Sequence, residues 1–335
     1  MAVASLARQR TVLSLTTRFC LPHEGMTQLE YLSRGSAFLL DSACTPGAAP
    51  STKLSDLKIL TCQHVACPWL FPNYFADKWD WLQHVSEEFV QHSLQLLEIP
   101  DESVDVKAKS YKPKVLVDIP LVQQVWLHPD RDVALLAVDE HDEMRWQNLV
   151  AQWKLHALAL NPAACKPGDL LLFTGHKQLD SSDDANNQAS DSDDASLSDI
   201  SSVSEEEVDD EEPSVGQYPK EVYGRFVGKS ARGQAFAWSQ EILEEGMCGG
   251  AVVNEAGECV GVVEGIVPPY NPQANHTKLA PDATQEEREA AAAAAATARM
   301  QKALENHVAF VPSADIHEFM KDRADHMLLT GLALH

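Results

Sequence analysis

The sequence predicts an all-β fold of the barrel or sandwich kind, on three observations. A dozen or so short runs rich in β-branched and apolar residues recur along the chain, bounded by Gly, Pro, Ser or Asp. The helix-forming stretches fall between these runs or after them, as insertions and a closing helix. One glycine turn, Gly246-Met247-Cys248-Gly249-Gly250, feeds the apolar run Ala251-Val252-Val253, and its glycines allow backbone angles that a side chain forbids.

Composition narrows the function classes. A chain of 335 residues, 44% hydrophobic and 23% charged, can bury a substantial core in one large domain or two. No apolar run has the length of a membrane span, so no membrane partner is expected. The net charge of −24 disfavours nucleic acid, whose phosphates would repel it. Seven cysteines, an odd number at irregular spacing, do not form a secreted disulfide framework. Cys62-Gln63-His64-Val65-Ala66-Cys67 has no second ligand pair at zinc-finger spacing, so neither metal nor cofactor is expected.

The elements follow in order. Residues 1–19 carry Arg8, Arg10 and Arg18, with no acid before Glu24, a transit-peptide composition. The β-branched run Thr11–Thr17 reads instead as a first strand, and that reading is preferred. The expected compartment is therefore cytoplasmic, with mitochondrial as the alternative. A turn at Ser33–Ser36 enters a strand through Leu40. A loop over 44–55 precedes the strand Leu57–Thr61, which ends at His64. Phe75, Trp79, Leu82, Val85, Phe89 and Leu96 recur at helical spacing, predicting a helix over 75–97. Strands are expected at 115–117 and 121–127, and again after Asp132 through Val138. Lys166-Pro167-Gly168-Asp169 turns into the strand Leu170–Phe173.

From Gln178 to Val215 the chain holds fourteen acids and no Lys or Arg. Such a segment cannot bury enough apolar surface to order itself. Ser196, Ser202 and Ser204 each have an acid three residues on, a pattern an acidophilic kinase would read. Strands resume at 221–227 and 234–238. After the glycine turn comes Glu258–Val263, then an alanine-rich helix within 281–306, a strand Val308–Pro312, and a closing amphipathic helix over 314–329.

Three residues stand at strand ends or turns along this path: His64, Asp132 and Cys248. An acid at the mouth of an apolar strand is costly to bury without a partner, which favours Asp132 over Asp130. The order histidine, acid, nucleophile is that of the chymotrypsin template.

Gly35-Ser36-Ala37-Phe38, Thr61-Cys62-Gln63-His64-Val65, Asp132-Val133-Ala134-Leu135-Leu136, Gly246–Gly250 with Val260-Gly261-Val262, and His307-Val308-Ala309-Phe310-Val311-Pro312-Ser313 occur in that order. Together they resemble a trypsin-like peptidase domain of the HtrA/Deg type. The resemblance covers most of residues 10–325 outside the insertions. It implies two six-stranded antiparallel β-barrels: residues 10–150 with His64 and Asp132, and residues 151–325 with Cys248. It also implies a protein or peptide substrate, hydrolysed by a Cys248-His64-Asp132 triad with the N–H groups of Gly246 and Cys248 as oxyanion hole. Val263, Glu264, Gly265 and Val308 would wall the substrate pocket. The chain departs from the family in its cysteine nucleophile, as in the picornain 3C-like proteases, in its insertions, and in having no PDZ domain after the closing helix. The picornain histidine that reads a substrate glutamine is replaced by Val263, implying an apolar residue before the scissile bond. Met247 cannot make the buried ion pair that an acid provides in trypsin-like zymogens. The alternative reading is an inactive relative whose fold serves as a protein-binding module. Assembly is not fixed by any sequence feature.

Overall fold

A computed structural model describes residues 10–41, 57–72, 82, 84–100, 113–138, 143–178, 216–270, 284–321 and 327–330. The chain is mostly β, in two parts: an open sheet and a closed barrel.

The sheet holds β1 (Val12–Phe19), β2 (Glu30–Asp41), β3 (Leu57–Thr61), β4 (Val90–Leu97), β5 (Val115–Pro120), β6 (Gln124–Leu127), β7 (Ala134–Leu136), the short β8 (Leu158–Ala159) and, from the far end of the chain, β15 (Met327–Thr330). Its order is β15-β6-β7-β3-β2-β1-β4-β5, with β8 parallel to β2. β1 shows why these residues make strands. Leu13 and Leu15 are fully buried on one face. The other face buries Ser14 and Thr16, whose hydroxyls donate to Gln217 Oε1 at 2.7 Å and Gln95 Oε1 at 3.2 Å. Both faces are thus satisfied, one by apolar packing and one by hydrogen bonds.

Among the described residues the six-stranded first barrel expected from the sequence does not close. The hydrogen-bonded path ends at β5 and continues past β6 to β15. β5 and β6 are consecutive in the chain and do not pair. Pro120, which ends β5, has no N–H to extend the ladder, and the outer edge of β6 is taken by β15.

The second part is a closed antiparallel barrel, β10-β11-β14-β13-β12-β9. Its strands are β9 (Leu170–Gln178), β10 (Gln217–Lys229), β11 (Ala235–Ser239), β12 (Ala251–Asn254), β13 (Cys259–Ile266) and β14 (Val308–Pro312). Phe173, Phe226, Val252, Val260, Val308 and Phe310 fill its interior, with Phe226 edge-on to Phe310 at 6.1 Å. A larger cluster joins the sheet's core to the barrel's outer face through Leu172, Val253, Val262 and Val311.

Among the described residues four α-helices complete the fold: α1 (Gln63–Ala66), α2 (Glu143–Trp153), α3 (Gln285–Ala303) and α4 (Ser313–Lys321). The alanine-rich α3 matches expectation. It is exposed nearly all round, and its root is closed by Asn306 N–H to Val267 O at 3.0 Å and Val267 N–H to His307 O at 2.8 Å. The helix expected over 75–97 is overturned in its second half, where β4 pairs with β1 and β5. Its start falls in residues 73–81, outside the described set. β4 is buried on both faces, so its apolar spacing carries no clean period of two, and tertiary pairing decides the outcome. The closing helix ends at Lys321, and Met327–Thr330 is strand. α2 was not foreseen. The loop over 44–55 and the acidic residues 179–215, with Ser196, Ser202 and Ser204, lie outside the described residues. Among the described residues no helix is long and apolar enough to cross a membrane.

Candidate active site

Where β3 ends, the chain makes a single helical turn, α1, that carries His64. The side chain of Gln63 binds this turn to the loop before β7. Its Nε2 donates to the carbonyls of His128 at 2.6 Å and Arg131 at 2.8 Å. That tie brings Asp132 onto His64. Asp132 Oδ1 accepts the His64 backbone N–H at 3.1 Å, and Oδ2 lies 2.5 Å from His64 Nδ1. The second acid of this loop, Asp130, is exposed. The His64 ring is also hydrogen-bonded to Cys248. Phe71 stands edge-on to the imidazole at 6.2 Å.

Burial works to lower the pKa of His64. The hydrogen bonds and charges of Asp132 and Cys248 outweigh it and raise the value to about 10. The imidazole is therefore a cation at neutral pH, flanked by a carboxylate and a thiol.

Cys248 sits in the glycine turn between β11 and β12. Gly246 and Gly249 have φ of +97° and +82°, a region costly for any side chain. A Cβ on Gly249 would also lie 2.1 Å from Ser36 O and 2.3 Å from Thr61 Oγ1. Gly249 N–H donates to Val263 O at 2.8 Å and Gly250 N–H to Met247 O at 3.0 Å. Among the described residues, the N–H groups of Gly246 and Cys248 have no bonded acceptor. The Met247 side chain is buried in the barrel interior.

A second thiol lies beside the histidine, and its closeness was not read from the sequence. The donor atoms of Cys62, His64 and Asp132 all fall within 4.8 Å of one another. Cys62 is fully buried and donates its S–H to Val263 O at 2.9 Å. Burial first, then the charges of Asp132, Cys248 and Glu264, push its pKa well above the ordinary thiol value. Cys248 is partly exposed and is thus the thiol a reactant can reach. The three donors are also types that bind zinc. The 2.5 Å between Nδ1 and Oδ2 is a hydrogen-bond distance, whereas two donors on one zinc lie roughly 3 Å or more apart. The pair as it stands does not fit an ion.

His64, Asp132 and Cys248 open onto a cleft of about 360 Å³. Of the expected wall residues, Val263, Glu264 and Gly265 line it. Val308 does not: it is fully buried in the barrel interior, and its neighbour Ala309 faces the cleft instead. Successive residues of a strand face opposite sides, so an offset of one residue along β14 reverses the assignment. Leu243, Met247 and Ile266 add apolar wall. Glu264 is held by Gln234 Nε2 at 2.8 Å. Burial raises its pKa and nearby Asp132 adds to that, against the Gln234 bond. Gln234, Leu243 and Phe71 were missed because no local motif marks them; they reach the cleft only through the fold.

The chain therefore combines a β-barrel-rich architecture with a clustered cysteine, histidine and aspartate, an arrangement compatible with a trypsin-like fold and a catalytic triad. No protein-family model matches this chain and no curated protein matches its sequence, so its functional assignment rests on the geometry of the site.

Proposed function

We propose that this protein is a cysteine-dependent endopeptidase of trypsin-like organisation, nearest in motif order to the HtrA/Deg type. Residues 10–150 contribute His64 and Asp132, and residues 151–325 contribute Cys248. The carrying observation is the His64 ring, hydrogen-bonded to both Asp132 and Cys248 at the wall of an open cleft.

The chemistry follows from that order. The reactive state is a thiolate at Cys248 paired with the His64 imidazolium. The thiolate attacks the substrate carbonyl, and the N–H groups of Gly246 and Cys248 receive the oxyanion, worth about 3–4 kcal/mol per donor in comparable sites. As the C–N bond breaks, His64 returns its proton to the leaving amine, leaving a thioester on Cys248. His64 then takes a proton from water, whose oxygen attacks the thioester. The acid is released and the thiol restored. Asp132 stays ionised throughout and holds the imidazole in place. The apolar walls Leu243, Val263, Ile266 and Ala309 favour a small or medium apolar residue before the scissile bond.

The test is site-selective labelling of the full chain with an electrophilic thiol probe, located by peptide mass. Labelling concentrated on Cys248, lost in His64→Ala and retained in Cys62→Ala, is expected. Equal labelling of several cysteines that His64→Ala leaves unchanged would reject the peptidase in favour of a binding module.

A further inference from the structure

Trypsin-like zymogens form their oxyanion turn on activation, through a buried ion pair between an acid and a new N-terminus, and Met247 cannot supply that acid. The turn must be held another way, and one residue of the opposite sheet meets it at two points. Ser36, on β2, is fully buried. Its hydroxyl donates to the carbonyl of Gly246 at 2.6 Å and accepts the backbone N–H of His176, on β9, at 2.8 Å. Its own backbone N–H donates to the carbonyl of Cys248 at 2.9 Å. Its carbonyl is fixed in turn by the Thr61 hydroxyl at 2.8 Å.

Gly246 and Cys248 are the two residues whose N–H groups have no bonded acceptor among the described residues. Ser36 holds the carbonyl of each. A peptide unit is planar, so fixing the carbonyls of Gly246 and Cys248 fixes the Met247 and Gly249 amides that share their planes. Met247 N–H then donates to Glu244 O at 3.2 Å and Gly249 N–H to Val263 O. With both flanking units fixed, the N–H groups of Gly246 and Cys248 keep no bonded acceptor among the described residues, which leaves them for an oxyanion. His176 adds no charge to the clamp: burial lowers its pKa to about 3.

We propose that Ser36 is a positioning residue that locks the Gly246–Cys248 turn in its oxyanion-binding form, in place of the activating ion pair. The protein then needs no cut at a new N-terminus to become active. This rests on the peptidase reading, and the test separates the two.

The test compares two reactions of the full chain at Cys248. Alkylation by iodoacetamide needs the thiolate but no oxyanion hole. Acylation by p-nitrophenyl acetate needs both. In Ser36→Ala, acylation is expected to fall about 10- to 100-fold, part of the 10²–10³ that one oxyanion donor contributes. Iodoacetamide alkylation, with its pH profile, is expected to stay within about threefold of the unmodified protein. Rates that fall in parallel mark general loosening and overturn the proposal, and so does an acylation rate that does not fall. Ser36→Cys keeps a weaker donor of similar size and should recover part of the acylation rate. If Ser36→Ala does not fold, Ser36→Cys takes its place, with a smaller loss confined to acylation expected and an unchanged or parallel response overturning the clamp. An unmodified protein inert to both reagents at Cys248 overturns the peptidase reading and the clamp with it. An active one unaffected at Ser36 overturns the clamp alone.

Discussion

Replacing Asp132 with Asn tests the central electrostatic claim. In the folded protein Asp132 accepts two hydrogen bonds from His64, and the two side chains are only 15% and 9% exposed. Their interaction is therefore little screened by solvent. Holding the ring protonated to about pH 10, against an unperturbed value near 6.5, corresponds to about 5 kcal/mol of preference for the charged form at about 1.4 kcal/mol per pH unit. That is a ceiling for the group, shared between Asp132 and Cys248. The sign is fixed by linkage. A histidine whose folded pKa is raised contributes its full stability below about pH 6.5, and loses it as pH rises toward 10. Asp132→Asn removes the carboxylate's charge and one acceptor while keeping its shape. The pH profile of iodoacetamide alkylation at Cys248 should show an alkaline limb near pH 10 in the unmodified protein. In Asp132→Asn that limb should move down by at least one pH unit. Hydrolysis of a peptide substrate should fall by about 10²–10⁴, as expected when the imidazole loses its orienting acid. An alkaline limb that stays in place would refute the coupling of His64 to Asp132.

Two further outcomes follow from the same geometry. Gly249→Ala places a Cβ against Ser36 O and Thr61 Oγ1 at a positive φ. It should destabilise the protein by about 2 kcal/mol or more, read from a urea denaturation midpoint, and unchanged stability would mean the turn is not as described. His176 is held neutral by burial, so its stabilising contribution is present above about pH 6.5 and lost as pH falls toward 3. Stability should drop by about 2 kcal/mol between pH 6.5 and 5, and His176→Leu should flatten that acid limb in denaturation measured across the range.

Local chemistry made much of this legible. The histidine, acid and cysteine each stand at the end of an apolar run, where a strand hands its side chain to a loop, and a single chain reports such boundaries well. The positions of β1, β2, β3, β9, β13 and β14 followed from β-branched runs and their turns. What escaped depends on pairing across long sequence separations. β4 has apolar residues at both two- and four-residue spacings, and only its place between β1 and β5 settles which period counts. β15 pairs with β6 across about two hundred residues, which no local pattern announces. Val308 and Ala309 differ by one step along β14, and the strand's facing decides which meets the cleft. Ser36 was visible within its Gly-Ser-Ala-Phe run, but a small hydroxyl gives no hint of which carbonyls it will hold.

The seam between sheet and barrel also sets when the thiol becomes reactive. His64 and Asp132 grow from the sheet and Cys248 from the barrel, and Ser36 reaches Gly246 across 210 positions of sequence. The Cys248–His64 and Ser36–Gly246 bonds exist in neither part alone. Contacts of such long separation form late, because the loop between them must close first. Through most of folding Cys248 is thus an ordinary thiol, with no imidazolium beside it and no ordered amides before it. On the proposed peptidase reading its nucleophilicity arrives only with docking of the two parts, so a chain still exposing its own cleavable segments has nothing with which to cut them.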